Sequence, residues 1–535
     1  MTDQLDFADI QGNILTAYGR LGFPKARFLM FQIKDAAAGR KFLQAIRYQL
    51  TTALRWPSER KGALHGSATL ERPMVTMNVA LNFYGLLALK LPTRTLRGLP
   101  DEFIDGMAAR AEILGDDMGE NQQKWDPIWC QNDRPVHMVV SLNAQIDGKG
   151  NTVPELEVKT QELRDLCARL DNKVVLLNGH RGPHSEFHDA SAIMVPDGNG
   201  GMTPTPNEHF GFRDAISDPV LEGQAPPKEL AELAIGNGKL NAAQQWLPLA
   251  TGEFLLGHPD EAQEIAGRAM PGDFSRNGTF MAYRKLHQNV HAFRTYIETT
   301  GRDFAAATGL PAERGPTVLM AKMAGRWPDG VPLMLAPTWE DWMPIRARRE
   351  KAYADGDKAT IVAMERDLLT FTFRDDPTGA RCPFSSHVRR VNTRDMLDPH
   401  FGSPNKADWM GSNLNNRRRI LRRGLPYGES APGSPDTDER GVIMMAVCTS
   451  LFRQFEFVQQ QWINYGLDFN AGNDTCPLTG NRPEDNKFVI PGDATRPPFI
   501  CGRLPQFVET RGGDYYFVPS MTALRMIADG VVDPT

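Results

Sequence analysis

The order of strand-like and helix-like segments predicts an α+β fold made of two ferredoxin-like units with antiparallel sheets, with insertions between their elements. Three observations carry this reading. In the first half, "RFLMFQI" (27–33) is strand-like, and an Ala- and Leu-rich segment from Asp35 to Leu54 follows it with helical spacing. "PMVTMNVAL" (73–81) and "HMVVSLNAQ" (137–145) supply two more strands, the amphipathic stretch 153–170 a second helix, and "KVVLLN" (173–178) a closing strand. That is the β-α-β-β-α-β order of a ferredoxin-like unit. In the second half, "GTFMAYRKL" (278–286) runs into the helical "HQNVHAFRTYIETTGRDF", and "RGVIMMAVC" (440–448) into "TSLFRQFEFVQQQWIN". The plan recurs without a repeat of fixed period. Third, a stretch rich in Gly, Pro and Ala separates the halves, which sets the expected division at 1–225, a connecting insertion at 226–275, and 276–535.

The 535 residues are long for one simple domain, so two or three folding units fit the length. Apolar residues make up 41% and charged residues 23%, enough for a substantial core in a globular protein. A net charge of −5 argues against nucleic acid or an anionic membrane as a general partner. The six cysteines are scattered without close pairs, which suits reduced thiols better than a disulfide framework. The N-terminus "MTDQLDFADIQGNIL" has no basic region, apolar stretch or twin arginine, and no run approaches the ~20 apolar residues of a membrane span. The expected compartment is the cytoplasm.

Chemistry is concentrated in a few places. "RCPFSSHVRRVNTRD" (381–395) sets His387 among Cys382, Arg389, Arg390 and Arg394; cations this close together are easier to accommodate beside an anion. A structural zinc at Cys382 and His387 would need four ligands, and no second Cys pair at short spacing exists. "HQNVH" (287–291) spaces two histidines by four on an expected helix, but Gln288 stands where a zinc protease needs its glutamate. The basic run "NNRRRILRRG" (415–424) reads as a solvated face. "HFGFRDAISDPV" (209–220) places Asp214 among Gly, aromatic and Pro residues, as in a shaped loop; alone it also reads as a turn-capping aspartate.

Together these segments resemble the dye-decolorising-type haem peroxidase family, nearly end to end. "DIQGNIL" (9–15) is similar to the family's opening, "GFRDAISDP" (211–219) to its GxxDG distal loop, and "CPFSSHVRRVNTR" (382–394) to its CPxxAHIRxxNPR proximal segment. "LRRGLPYG" (421–428) resembles the segment of the distal arginine, and "QFEFVQQQWIN" (454–464) and "GGDYYFVPSMTAL" (512–524) the C-terminal portion. The chain departs from the pattern at Ala215 (for Gly), Ser386 (for Ala) and Thr393 (for Pro), and the gap from His387 to Arg422 is longer than in compact members. If position 215 requires a positive φ, the alanine methyl strains the loop that carries Asp214.

The resemblance implies one haem b (heme b) per chain, sandwiched between the two units, with His387 as the proximal iron ligand. Ala215, Ile216, Ser217, Asn392, Thr393, Arg394 and Arg422 complete the cofactor site, Arg394 as a propionate partner. Asp214 would be the acid–base group and Arg422 the cation for the charge that develops as peroxide is cleaved. The partners implied are hydrogen peroxide and small aromatic or dye-like donors, with no nucleic acid and no membrane; a homo-oligomer is compatible with this. An aspartate in this role suits a low pH optimum. Glu456 is the expected carboxylate behind the proximal imidazole, with Phe452, Phe455, Gln459 and Trp462 on a neighbouring helix face. Tyr427, Trp462, Tyr515 and Tyr516 are candidate relays for donors too bulky to reach the haem, Tyr427 foremost. A carrier, a sensor or a haem-handling protein on the same fold is the alternative; keeping both Asp214 and Arg422 favours the enzyme.

Overall fold

The computed structural model describes residues 5–56, 71–116, 124–131, 133–265, 269–429, 431, 433–481 and 486–532. Residues 1–4, where the expectation of a leaderless N-terminus begins, lie outside the described residues. The main sheet contains β1 (Lys25–Ile33), β2 (Val75–Leu81), β3 (Met138–Ala144), β4 (Val174–Leu176), β5 (His188–Ser191), β6 (Thr279–Gln288), β7 (Leu421–Tyr427), β8 (Gly441–Cys448) and β9 (Val508–Val518). The first unit has spatial order β2-β3-β1-β4, with β5 also paired to β1. The second has β7-β8-β6-β9. Each is the arrangement a βαββαβ chain makes when its first strand ends up between the third and fourth.

The two units pack face to face and are also continuous along one edge. Their sheets join where β9 meets β2, through the pairing of Phe517 with Leu81, and form one nine-stranded sheet. The seam is reinforced by the wholly buried side chain of Gln11. Its amide donates to the Val79 carbonyl and to the Pro519 carbonyl, each at 2.9 Å, and accepts from the Val79 N–H at 2.9 Å. A side-chain amide thus does what a peptide group would do in a ladder.

Strands β1 and β3 are buried on both faces, which explains why their sequences are nearly continuous apolar runs. On one face lie α1 (Ala36–Arg47), capped by the Asp35 carboxylate on the Ala38 N–H, and α2 (Glu155–Arg169). Phe42, Leu43 and Leu163 from these helices pack against Leu29 and Phe31. On the other face, Phe28 and Met30 meet Tyr283, Leu421 and Tyr516 of the second unit. A further core forms outside the sheet from α3 (Val290–Thr308), α4 (Gly315–Ala324), α5 (Trp339–Ala354) with α6 (Lys358–Asp367) packed on it, and the short α7 (His387–Val391). The chain closes with α8 (Met521–Asp529), which packs on α1.

Two local expectations change, and one strand was not anticipated. His287 and His291 do not share a helix: His287 is the penultimate residue of β6, buried, with its Nε2 on the Asp436 carbonyl, and His291 lies in α3. "LRRGLPY" is a strand despite its Gly and Pro, because it lies at the sheet edge where Pro426 forfeits no ladder bond that matters. The segment expected as an α-helix after β8 winds instead as a π-helix over Leu451–Glu456 and Val458–Ile463.

Candidate active site

His387 opens α7, a five-residue helix fixed by its own neighbours. Ser386 donates its hydroxyl to the Lys322 carbonyl at 2.5 Å. Arg389 and Arg390, next along the chain, are fully buried and face different anchors. Arg389 pairs with the Asp376 carboxylate at 2.7 Å, while Asp376 also accepts from the Cys382 N–H at 3.0 Å. Arg390 donates to the carbonyls of Trp462 (2.7 Å), Tyr465 (2.8 Å) and Asp474 (2.8 Å). Two of the three cations that surround His387 in sequence therefore hold up the helix rather than bind an external anion. The imidazole Nδ1 lies 3.2 Å from the sulfur of Cys476 and 3.5 Å from the Thr479 hydroxyl. Burial raises the Cys476 thiol, but the His387 imidazole and then the Arg390 guanidinium outweigh it and bring it down to about 6.

Asp214 and Arg422 reach the same cavity from two different elements. Along β7 the side chains of Leu421, Arg423, Leu425 and Tyr427 are buried, so strand alternation turns Arg422 to the opposite face. Asp214 sits in the 208–219 loop, whose backbone is tied by the Asp214 N–H to the Pro206 carbonyl and the Arg213 N–H to the Pro328 carbonyl, each at 2.8 Å. The Arg422 guanidinium grips both carboxylate oxygens of Asp214, one at 2.9 Å. A further bond comes to Asp214 from the Ala215 N–H at 2.7 Å. Burial pushes the Asp214 carboxyl up, but Arg422, the Ala215 N–H and the His387 imidazole together hold it below the usual carboxylate range. Their remaining exposure, 32% for Asp214 and 44% for Arg422, belongs to side chains that line the cavity wall. Ala215 is left-handed, with φ of 53°, which is the strain anticipated for a non-glycine residue here. Nearby Glu208 is pushed up to about 7 by burial, although Gln288 and the N–H groups of Phe210 and Phe212 donate to it.

The cavity measures about 620 Å³, within the range of small-molecule and cofactor sites. Its walls include Asp214, Ala215, Ile216, Ser217, Arg422, His387 and Asn392, together with Arg326 and Arg419. Burial lowers the latter two arginines to about 10 each. Thr393 and Arg394 are buried but do not line it. Arg394 lies within electrostatic reach of Arg326 and Arg419, and burial drives it well below the guanidinium range. None of its three guanidinium nitrogens has a hydrogen-bond partner, nor has the Asn392 Oδ1. A concentration of buried cations beside an apolar cavity with an imidazole in its wall fits a flat, apolar dianion with a metal at its centre. Haem is such a group.

Glu456 is placed elsewhere than expected. Its carboxylate is taken by Arg110, at 2.5 and 2.7 Å, and by the Tyr515 hydroxyl at 2.9 Å, so it does not back the imidazole. The π-helical winding is the reason, since i→i+5 bonding turns Phe455, Val458, Gln459 and Ile463 to the cavity and leaves Phe452 63% exposed. The aromatic relay candidates are all interior: Tyr427 is 3% exposed, Trp462 2%, and Tyr515 and Tyr516 0%. Cys476, Arg326, Arg419 and Glu208 were not singled out from sequence. The first is 89 residues from His387 in the chain, in a loop with no local signal.

Comparison with known proteins gives the same answer from another direction. A family model described as the DyP dimeric alpha+beta barrel domain matches residues 9–179. The chain is 27% identical to the dye-decolorizing peroxidase msp1 of Mycetinis scorodonius, over 98% of this chain and 88% of that protein. An ancestral D-type dye decolorizing peroxidase of known structure matches with a TM-score of 0.70 and 25% identity, covering 98% of this chain and 99% of that one. The family-model match lies within residues 9–179, and along nearly its whole length the chain is similar to dye-decolorizing peroxidases. The multifunctional dye peroxidase DyP2 of Amycolatopsis is also similar, at 23% identity over 97% of this chain and 95% of that protein.

Proposed function

We propose that this chain is a dye-decolorising peroxidase that binds one haem b through His387, reduces hydrogen peroxide, and oxidises dye-like or phenolic donors in one-electron steps. The observation that carries the reading is the pairing of Asp214 with Arg422 in the wall of the same cavity as His387. A carrier or sensor has no use for an ionised acid held against a cation beside its ligand, and a peroxidase needs both. Haem, when bound, supplies the iron on which peroxide is reduced and holds the two oxidising equivalents that donors discharge. Asp214, ionised because Arg422 holds its pKa down, takes the proton from the peroxide oxygen that stays and returns it to the oxygen that leaves as water. Arg422 offsets the negative charge that grows on the leaving oxygen, and keeps the carboxylate oriented by two hydrogen bonds. Arg326 and Arg419, with Arg394 behind them, are the proposed propionate partners, and Asn392 and the Ala215–Ser217 segment line the cofactor's edge.

One solved relative is a complex with 2,6-dimethoxyphenol, so a phenol of that class is the first donor to test. For the compartment, the cytoplasm is proposed, supported by six cysteines with no disulfide among them. Among the described residues no helix is long and apolar enough to cross a membrane. The division proposed is 1–225, 226–275 and 276–535.

The test is a set of spectra and turnover measurements on the purified protein. The parent should consume peroxide in the presence of the phenol and carry a haem spectrum. His387→Ala should lose most of the haem, and Asp214→Asn should keep it while reacting with peroxide about 10²–10⁴-fold more slowly. Full haem occupancy with an unchanged ferric spectrum in His387→Ala would refute the ligand assignment. A haem-loaded parent that leaves peroxide and donor untouched would turn the reading to a carrier.

A further inference from the structure

We infer that the sulfur of Cys476 accepts the hydrogen bond from His387 Nδ1–H, and so is the residue that orients and tunes the axial imidazole, where a carboxylate was expected. The inference rests on His387 being the haem ligand. With Nδ1 turned toward the sulfur at 3.2 Å, Nε2 is the nitrogen left for the iron. An imidazole that ligates through Nε2 carries its proton on Nδ1, so the sulfur must be the acceptor.

The surroundings exclude a competing carboxylate. Glu456 is committed to Arg110 and Tyr515, Asp376 to Arg389, and Asp474 to Lys487 at 3.1 Å. No described carboxylate is hydrogen-bonded to the ring. The thiol, wholly buried, is built into place. Its loop is tied by the Cys476 N–H to the Ile463 carbonyl at 2.7 Å and by the Gly480 N–H to the Cys476 carbonyl at 3.1 Å. Gly480 is required by that turn, because a Cβ there would lie 2.7 Å from the Thr475 side chain and 2.8 Å from the Cys476 nitrogen. The Thr479 hydroxyl donates to the sulfur at 3.3 Å. From the other side, Arg390 of the histidine's own helix clamps the Asp474 carbonyl two residues before the cysteine. One short helix therefore presents the imidazole and grips the loop that presents its acceptor.

An outer-shell acceptor sets how much electron density an axial imidazole gives to iron. Sulfur is a weak hydrogen-bond acceptor, and removing it leaves Nδ1 with only the 3.5 Å approach to Thr479. The experiment compares the haem-loaded parent with C476A, C476S and C476D. The readouts are the Fe(III)/Fe(II) midpoint potential and the iron–histidine stretching band of the ferrous protein in resonance Raman. C476A should raise the potential by on the order of a tenfold change in the one-electron equilibrium, about 59 mV, and lower the band. C476S should sit between C476A and the parent, and C476D at the parent value or below it. A C476A protein with the parent's potential and band overturns the inference. If C476A does not fold, identical values in the parent, C476S and C476D overturn it equally. A parent with no iron–histidine band removes the His387 assignment, whereas a normal band that no variant moves removes only the role of the thiol.

Discussion

Replacing Arg422 by leucine separates two contributions that the parent protein merges. In the cavity the guanidinium grips both oxygens of Asp214, and it is the largest influence holding that carboxyl below its usual range against the opposing effect of burial. Take the cation away and burial acts with only the Ala215 N–H and the His387 imidazole still opposing it. An opposite charge at contact distance is worth about 1–3 pH units to a carboxyl, so the acidic limb of the reaction should move up by about that amount. The sign follows from the role: the base is the ionised form, and it is lost as pH falls through the folded-state pKa. Well above the variant's limb, where Asp214 is ionised in both proteins, the variant should be slower by about 10²–10³-fold, from the missing charge stabilisation alone. Between the parent's limb and the variant's, on the acid side of neutral, the gap should widen by up to tenfold per pH unit as pH falls. The assay is stopped-flow mixing of the haem-loaded proteins with peroxide across that range, followed in the Soret band. Parallel pH profiles, with one constant ratio throughout, would refute the claim that Arg422 sets the ionisation of Asp214.

Ala215→Gly should relieve the left-handed strain at φ of 53° and raise stability by about 0.5–1 kcal/mol after the entropy lost to glycine, read by thermal unfolding of the apoprotein. A lowered melting temperature would mean that the methyl is packed to advantage. Arg394→Met should stabilise the apoprotein by about 1–4 kcal/mol in denaturant titration, because it removes a buried guanidinium without hydrogen-bond partners. The same variant should bind haem more weakly, and an unchanged haem affinity would take Arg394 out of the propionate site. Tyr427→Phe should leave the ratio of bulky-dye to small-phenol turnover unchanged, since the ring is buried; a selective loss on the dye would restore Tyr427 as a relay.

What could be read in the chain depended on how local each signal was. The β-α-β-β-α-β order was visible because β1, β2 and β3 are apolar runs bounded by turn residues, and each was located to within about two residues. Asp214, His387 and Arg422 came from short motifs and meet in one cavity. The edge strand β7 was obscured because Gly424, whose missing Cβ lets the Ile443 carbonyl approach, and Pro426 interrupt the alternation. The surroundings of the imidazole were not legible for a different reason. A carboxylate on the π-helical segment looked suitable when its residues were projected on an α-helix, and π-winding sends Glu456 to Arg110 instead. Nothing in "NDTCPLTG" announces that its thiol lies against a histidine 89 residues earlier, because long-range bonds such as the Arg390 clamp bring the two together.

The seam between β9 and β2 bears on how this protein could be shortened. Where two half-sheets share one register pair, the Gln11 amide and the Asn82–Asp514 bond, neither half owns a finished edge. A fragment cut in the 226–275 segment would carry β1 to β5 and the Gln11 amide but leave the Val75–Leu81 strand open along its outer side. Exposed strand edges recruit other strands, so such a fragment would be prone to zip onto a second copy of itself rather than stand alone as a half-size module. Splitting the gene at that point therefore calls for co-expression of both pieces, so that the C-terminal strand is at hand when the N-terminal half folds.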